Sequence, residues 1–225
     1  KGELMDRIGV GSKEIRLLQD RAKRNPKRVV FAEADQLEVL KAAQRIYEDG
    51  IGIPVLLGNK DVIKALKYEI GFTGRVDVID PKSDAERGRR EQFVQHYWKL
   101  RERRGVTYEV AERLMRERNY FGTMLVETGQ ADAMITGYSH AYPNAIRPVL
   151  EIIEKDKGVD RIAATSIMLS KQGPIFLSDA TINIDPTAAD LANIALLTAR
   201  AVKFFGLEPS VAMLSYSNFG SAVSD

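Results

Sequence analysis

The segment ADAMITGYSHAYPNAIRPVLEII, residues 131–153, decides the fold of this chain. It begins with a short apolar run at 133–136 that stops at Gly137, which is typical of a buried strand. After a polar turn, apolar residues return at intervals of three, one and three, which is helical periodicity. Pro143 fits the first turn of that helix because a missing N–H costs no hydrogen bond there. The segment therefore predicts a strand, a turn and a helix in succession.

The predicted turn is a candidate anion site. A helix N-terminus that follows a strand attracts anions through its unpaired amides and the positive end of its dipole. Arg147 lies about one turn inside the helix, within reach of the same anion, and Ser139 supplies a hydroxyl group in the turn. A second interpretation stays open, in which the loop is an ordinary connection and Arg147 is solvated or pairs with a nearby glutamate.

Short apolar strands alternate with helices of roughly 10–15 residues in the first part of the chain. The strands are predicted at 28–32, 53–57 and 76–79, and the helices between them at 36–49 and 61–70. This alternation predicts an α/β fold with a doubly wound, mostly parallel sheet. Ligands of such sheets bind beyond the carboxyl ends of the strands. We expect that edge to carry the loops at Glu33, Gly58, Asp80, Gly137 and Ser215.

The remaining pattern predicts further helices and strands. Helices are predicted at 13–24, 83–103, 107–115, 119–128 and 186–205. Thr107 is the expected N-cap of one of them, and Asp185 with Pro186 is expected to start the last one. Residues 161–170 and 175–179 form either a hairpin or neighbouring strands, and residues 211–214 predict a final buried strand.

The loop SYSNFGS at 215–221 is a second candidate anion site. It directly follows a predicted strand, so its backbone amides can form a nest for phosphate. Its candidate ligand residues are Ser215, Ser217 and Ser221. The chain lacks a Walker loop, a GxGxxG fingerprint and a GxSxG elbow, which disfavours nucleotide hydrolysis, Rossmann-type NAD binding and serine-hydrolase chemistry.

Acidic residues follow several predicted strands. They are Glu33, Asp35, Asp179 and Asp185. Carboxylates in such places can bind Mg²⁺ or act as general bases, but they more often cap helices or face solvent.

The composition excludes several classes of protein. The 225 residues include 33 basic and 31 acidic side chains, a net charge of +2, which gives no electrostatic argument for nucleic acid or an anionic membrane. The absence of cysteine excludes disulfides and thiolate chemistry, and the two histidines disfavour a histidine metal site. No apolar run approaches the roughly 20 residues that span a bilayer. We therefore expect a soluble, cytoplasmic protein with no nucleic-acid and no membrane partner.

Four motifs carry a resemblance to a known family: GQADAMITG, NAIRPVLEII, DPTAADLANIA and PSVAMLSYSNFGS. They resemble the phosphate acetyltransferase/butyryltransferase family, over nearly the whole chain from about Asn25 onward. Three further stretches are similar to one branch, the phosphotransacetylase-like C-terminal domain of bacterial NADP-dependent malic enzymes. These stretches are AKRNPKRVVFAEA, YWKLRERRGVT and NYFGTMLVETG.

The resemblance implies an isocitrate/isopropylmalate dehydrogenase-like architecture, with two subdomains and a cleft between them. We expect a linker helix at 1–24, a first α/β subdomain at 25–157 and the start of a second at 158–225. The chain opens on Lys1 without an initiator methionine and closes at Asp225 directly after a predicted strand and loop. We expect a longer polypeptide, of which the C-terminal part is missing here.

The resemblance also implies a ligand. Members of the family move acetyl between CoA and phosphate, and their arginines stabilise the bound phosphate. Arg101, in the KLR segment, and Arg147, in the IRP segment, match the anion-binding arginines of the family. The leading interpretation is a non-catalytic regulatory domain of a malic enzyme, which binds acetyl-CoA or a related acyl-CoA as an allosteric effector. No catalytic residue is then expected in this chain.

The partners implied by this interpretation are an upstream malic enzyme catalytic domain and further copies of the chain, in a homo-oligomer built on a dimer of this domain. NADP and a divalent metal would belong to the upstream domain, which would decarboxylate malate oxidatively to pyruvate. The alternatives are an active phosphate acetyltransferase and a purely structural assembly module.

Departures from the family pattern favour the regulatory interpretation. Ala34 and Glu38 stand where the family has a glycine and an arginine, and 218–219 carry Asn-Phe in place of Thr-Lys. A carboxylate in place of a cation weakens phosphate binding if it faces the anion. The serine-arginine pair and the late aspartate of the family fall in a C-terminal region outside this chain.

Overall fold

The computed structural model describes residues 13–170, 173–179 and 181–214. Two compact units divide the chain, one of residues 19–154 and one that combines residues 1–18 with residues 155–225. Helix α1 (Lys13–Arg24) covers the range in which a helix was predicted and precedes the first strand. The larger unit contains a sheet with helices, and the smaller one contains a hairpin and a helix.

The larger unit alternates strands and helices as the sequence predicts. Its strands are β1 (Lys27–Phe31), β2 (Gly52–Leu57), β3 (Asp77–Ile79) and β4 (Ala133–Ile135). Its further helices are α2 (Leu37–Glu48), α3 (Lys60–Glu69), α4 (Arg87–Arg101), α5 (Tyr108–Leu114), α6 (Arg118–Glu127) and α7 (Tyr142–Ile152). The prediction of an α/β fold is confirmed.

The four strands form one parallel sheet in the order β3-β2-β1-β4. Val30 lies opposite Val55 in the register, and Phe31 lies opposite Leu56. Because successive side chains of a strand point to opposite faces, these two pairs face opposite ways. Val30 and Val55 pack under α4, α5 and α6, whereas Phe31 and Leu56 pack with residues of α2 and α3. Both faces of the sheet are therefore covered by helices.

Helix α6 approaches the sheet closely at Gly122. A Cβ atom built on this residue would lie 2.7 Å from the Met134 sulfur, 3.2 Å from Leu57 and 3.3 Å from Val30. Only glycine leaves room for this approach without movement of the neighbours, so the missing side chain of Gly122 sets the distance between helix and sheet.

The region between β3 and α5 is less regular than predicted. The long helix predicted at 83–103 is replaced by a 3₁₀ turn at Asp84–Glu86, helix α4, and a second 3₁₀ turn at Glu102–Arg104. Gly105 stops the second turn with a φ of 85°, which a glycine adopts without strain. Thr107 caps α5 as predicted, because its hydroxyl accepts a hydrogen bond from the Val110 amide.

The smaller unit contains an antiparallel hairpin, β5 (Thr165–Ser170) and β6 (Gly173–Ser178), and helix α8 (Ala188–Phe204). A hairpin is one of the two arrangements that the sequence left open for residues 161–170 and 175–179. The start of α8 corrects a prediction, since Thr187 and not Asp185 is the N-cap. Thr187 and Asp190 form a capping box, which satisfies two backbone amides reciprocally and fixes the first turn two residues later than expected.

The final buried strand predicted at 211–214 is not formed, which is a second correction. These residues have no strand geometry, and all four are exposed. A buried strand needs hydrogen-bonding neighbours, and the described part of this unit offers a two-stranded hairpin with no parallel partner for it. Within the described ranges, no helix combines the length and apolar character needed to cross a membrane.

Candidate functional site

The carboxyl ends of the four parallel strands meet at one edge of the larger unit. Short backbone hydrogen bonds continue the pairing beyond the strands, from the Ala32 amide to the Ile135 carbonyl and from the Ala34 amide to the Leu57 carbonyl. The loops at Glu33, Gly58, Asp80 and Gly137 therefore share this edge, as predicted. Ser215 lies outside the described residues, together with Ser217 and Ser221.

Glu33 organises the loop between β4 and α7. Its carboxylate accepts hydrogen bonds from the backbone amides of Gly137, Tyr138 and Ser139, at 2.9, 2.8 and 2.8 Å. The Ser139 hydroxyl donates to the same carboxylate, and His140 Nδ1 lies 2.9 Å from Glu33 Oε1. The nest of amides in the predicted anion site thus holds an anion that belongs to the chain itself.

The charge on Glu33 is stabilised by these contacts. The side chain is buried, with 1% of the residue exposed, and burial alone would raise its pKa. Hydrogen bonds from the Ser139 hydroxyl, from His140 and from the backbone amides outweigh burial and lower the pKa of Glu33 to about 2. An ionised carboxylate only accepts hydrogen bonds, so both Ser139 and His140 Nδ1 donate to it.

A second cluster surrounds Glu151 on α7. Its carboxylate accepts hydrogen bonds from the Tyr97 hydroxyl at 2.7 Å, the Tyr120 hydroxyl at 2.8 Å and Arg147 Nε at 2.8 Å. Burial would raise the pKa of Glu151, but the hydrogen bonds from Arg147 and the two tyrosines lower it. Burial and the bond to Glu151 raise the pKa of Tyr120 to about 12, and the same two causes raise the pKa of Tyr97. The cluster is thus a fixed anion with three donors.

Arg101 lies near this cluster, since its positive charge opposes the rise in the pKa of Tyr97. Arg101 Nε is buried and has no hydrogen-bond partner among the described residues. The structure therefore places Arg147 at the Glu151 carboxylate and Arg101 near Tyr97, which donates to that carboxylate, whereas Ser139 lies with Glu33. Sequence reasoning left open that Arg147 pairs with a nearby glutamate but did not name Glu151, although the spacing of four between the two residues signals a helical ion pair.

A cavity of 610 Å³ lies beside β4 in the larger unit. Its walls come from α6, β4 and α7 and are mostly apolar, with Val126, Met134, Ile146 and Val149 among the lining residues. His140 and Tyr142 are the titratable side chains of the lining. A volume of this size is ordinary for a small-molecule site.

Two further acidic residues at the strand ends, Asp35 and Asp179, have structural partners. Asp35 pairs with Arg118 at 2.5 Å, and Asp179 accepts hydrogen bonds from the amides of Thr181, Ile182 and Asn183. Glu38 pairs with Lys41 on the exposed side of α2, at 3.0 Å. Across residues 13–170, 173–179 and 181–214, no three His, Asp or Glu side chains converge closely enough to hold a metal ion.

Comparison with known proteins identifies relatives of two kinds. The family model described as phosphate acetyl/butaryl transferase matches residues 14–225. The phosphate acetyltransferase of Bacillus subtilis is 36% identical over 199 residues, which is 88% of this chain and 60% of that protein. The NADP-dependent malic enzyme of Haemophilus influenzae is 34% identical over 215 residues, which is 93% of this chain and 28% of that protein.

A solved structure agrees with the sequence comparison. The EutD phosphotransacetylase of Staphylococcus aureus superimposes with a TM-score of 0.78 at 31% identity, over 94% of this chain and 63% of that chain. The chain spans less than two thirds of the length of each of these relatives, and little more than a quarter of the malic enzyme. The fold is thus similar to a phosphotransacetylase structure, and the described chain corresponds to part of a longer relative.

Proposed function

Because the chain belongs to the phosphate acetyl/butaryl transferase family, we propose that it is a phosphotransacetylase-like regulatory domain of an NADP-dependent malic enzyme. In this proposal the domain binds acetyl-CoA or a related acyl-CoA in the cleft of the family fold. Binding acts on the upstream catalytic domain if the affinity for the ligand differs between two states of the assembly. NADP and the divalent metal belong to that upstream domain.

The observation that carries the proposal is the position of two arginines near one cluster: Arg147 bonds to the Glu151 carboxylate, and Arg101 lies near Tyr97, which donates to the same carboxylate. Guanidinium groups suit the phosphates of CoA. Arg147 remains 73% exposed at its side chain, and its bond to Glu151 uses only Nε, one of the five N–H donors of a guanidinium. We assign Arg101, Arg147 and Ser139 to the ligand site, together with Ser215, Ser217 and Ser221 of the loop at 215–221.

Two features favour a regulatory over a catalytic role. Glu151 already compensates the charge of Arg147, which lowers the positive potential that a developing phosphate charge requires. Glu38, which pairs with Lys41 on the exposed side of α2, stands where the resemblance implies an arginine, so that cation is absent. The malic enzyme relatives of Haemophilus influenzae and Salmonella typhimurium extend well beyond the matched region, which supports a domain within a larger protein.

The alternative is an active phosphate acetyltransferase, which moves acetyl between CoA and phosphate. The structural likeness to the EutD phosphotransacetylase supports it. In both cases we propose a cytoplasmic homo-oligomer. The smaller unit offers apolar surface for self-association on α8, where Leu196 is 61% exposed and Phe204 is 68% exposed.

The test is calorimetric titration of acetyl-CoA into the full-length protein, together with an assay for release of the CoA thiol from acetyl-CoA and phosphate. Saturable binding without turnover, lost in Arg147→Ala, supports the regulatory domain. Turnover at ordinary enzymatic rates, on the order of 1 to 10³ per second, overturns it in favour of the transferase.

A matched control for this test lies on α2. Arg45 donates through Nε to Asp49 at 2.8 Å and has the same spacing of four and nearly the same exposure as Arg147. Arg45→Ala removes an equivalent helical ion pair outside the proposed site, so it is expected to leave the affinity for acetyl-CoA unchanged.

A further inference from the structure

Resting on the proposed function, we propose that His140 is a ligand-contacting residue whose Nε2 donates a hydrogen bond to a phosphate oxygen of the bound acyl-CoA. Glu33 is the positioning residue that holds the imidazole in the required orientation. His140 is not a member of the cluster around Glu151, whose residues lie on α4, α6 and α7.

The orientation of the ring follows from the contacts of Nδ1. This nitrogen lies 2.9 Å from Glu33 Oε1 and 3.1 Å from the Ser139 hydroxyl oxygen. Because Glu33 is an ionised, buried acceptor, the proton on Nδ1 is directed at it. Nε2 is on the opposite side of the ring, and no described residue forms a hydrogen bond with it. The second nitrogen is therefore available to a ligand.

Few charged or titratable groups surround His140. Glu33 contacts it from the end of β1, and Tyr142 is the other titratable residue of the cavity that His140 lines. The walls from α6, β4 and α7 bring no charged side chain to this cavity. At the same sheet edge, Asp35 and Arg118 pair with each other. In the proposed complex both ring nitrogens carry a proton, so that Nδ1 donates to Glu33 and Nε2 donates to the ligand.

Helix α7 favours an anion beside His140. It begins at Tyr142, two residues after His140, and contains 11 residues. Its N-terminus contributes a partial positive charge, which favours a phosphate group at the same end. The imidazole and the helix N-terminus therefore both attract an incoming anion. Binding in this way involves no covalent step.

The experiment measures binding of acetyl-CoA to the full-length protein by calorimetry between pH 5.5 and 8.5, in buffers of different ionisation enthalpy. The slope against ionisation enthalpy gives the number of protons taken up on binding. Since the phosphates of CoA titrate in the same range, the diagnostic quantity is the difference between wild type and variant. His140→Gln keeps a polar side chain but loses the titratable ring, and His140→Phe keeps the ring volume but loses both nitrogens.

We expect both variants to bind acetyl-CoA about 10- to 100-fold more weakly than wild type at pH 6, the range for a hydrogen bond to a charged group. We also expect them to take up fewer protons. His96→Gln is the matched control, because His96 is the other histidine of the chain and faces Glu127 on the surface. It is expected to match wild type.

Two results would overturn the proposed contact between His140 and the ligand. If His140→Gln and His140→Phe bind acetyl-CoA with wild-type affinity and proton uptake, His140 does not touch the ligand, although the proposed function survives. If wild type itself does not bind acetyl-CoA, the proposed function fails, and this contact fails with it. Thermal unfolding of both variants near the wild-type midpoint assigns lost binding to lost contact rather than to unfolding.

Discussion

The backbone amide of Ser139 donates a 2.8 Å hydrogen bond to the Glu33 carboxylate, although 106 positions separate the two residues. This bond ties the end of β1 to the loop between β4 and α7. The loop amides converge on a charge, so the loop conformation depends on that charge. The loop at this edge of the sheet is thus built around the Glu33 carboxylate, so removal or protonation of Glu33 is expected to destabilise the fold.

The first prediction concerns the pH dependence of stability. The pKa of Glu33 falls from 4.5 to about 2 on folding. A lowered pKa stabilises the folded state above pH 4.5, and this contribution is lost as the pH falls from 4.5 towards 2. The shift corresponds to about 3 kcal/mol. Urea unfolding, followed by the fluorescence of the single tryptophan, Trp98, is expected to show this loss in wild type.

Glu33→Gln removes the titrating group and is expected to be less stable than wild type at pH 7 by about the same 3 kcal/mol. Its stability should also vary less between pH 4.5 and 2. Glu38→Gln is the control, because Glu38 is exposed and pairs only with Lys41. Equal pH dependence in wild type and Glu33→Gln would contradict the role of the carboxylate in the loop.

The second prediction concerns the competition for Arg147. Glu151 holds this arginine at 2.8 Å, so an anionic ligand competes with the carboxylate. Glu151→Gln keeps a partner for the hydroxyls of Tyr97 and Tyr120 but removes the negative charge. We expect acetyl-CoA to bind this variant about threefold to tenfold more tightly, the scale of one partly exposed ion pair. Calorimetric titration of the full-length protein measures the change.

Asp49→Asn is the matched control for this prediction, since it frees Arg45 from an ion pair of the same length on α2. No change in affinity is expected from it. If Glu151→Gln binds acetyl-CoA more weakly than wild type, Glu151 supports the ligand site instead of competing with it.

Local patterns were sufficient to predict the sheet edge from sequence. Apolar runs and the spacing around Pro143 located β1, β4 and α7, since these signals depend on residues adjacent in the chain. The tie between Glu33 and the 137–139 amides was not predicted, because it joins residues more than 100 positions apart. The prediction of a strand at 211–214 was wrong for a related reason, since the burial of a strand depends on partners distant in the chain. Arg147 pairs with a glutamate, one of the alternatives that helical spacing left open.

The third prediction tests the approach of α6 to the sheet. Alanine favours helices over glycine by about 1 kcal/mol. At Gly122 a methyl group would lie 2.7 Å from the Met134 sulfur, and overpacking of this kind costs about 1–3 kcal/mol. Gly122→Ala is expected to destabilise the larger unit, whereas Gly88→Ala on α4 meets no atom within 4 Å and is expected to stabilise it. Stabilisation by both, measured by Trp98 fluorescence in urea, would show that α6 shifts freely.

The last prediction separates the two candidate caps of α8. The Thr187 hydroxyl accepts a hydrogen bond from the Asp190 amide, and the Asp190 carboxylate accepts one from the Thr187 amide. Thr187→Ala is expected to cost about 1 kcal/mol, because the Asp190 amide loses the hydroxyl that accepts its hydrogen bond. Hydrogen exchange followed by mass spectrometry should show faster exchange at the start of α8. Asp185→Ala, at the cap that the sequence suggested, should leave that exchange unchanged. The reverse result would move the helix start to Asp185.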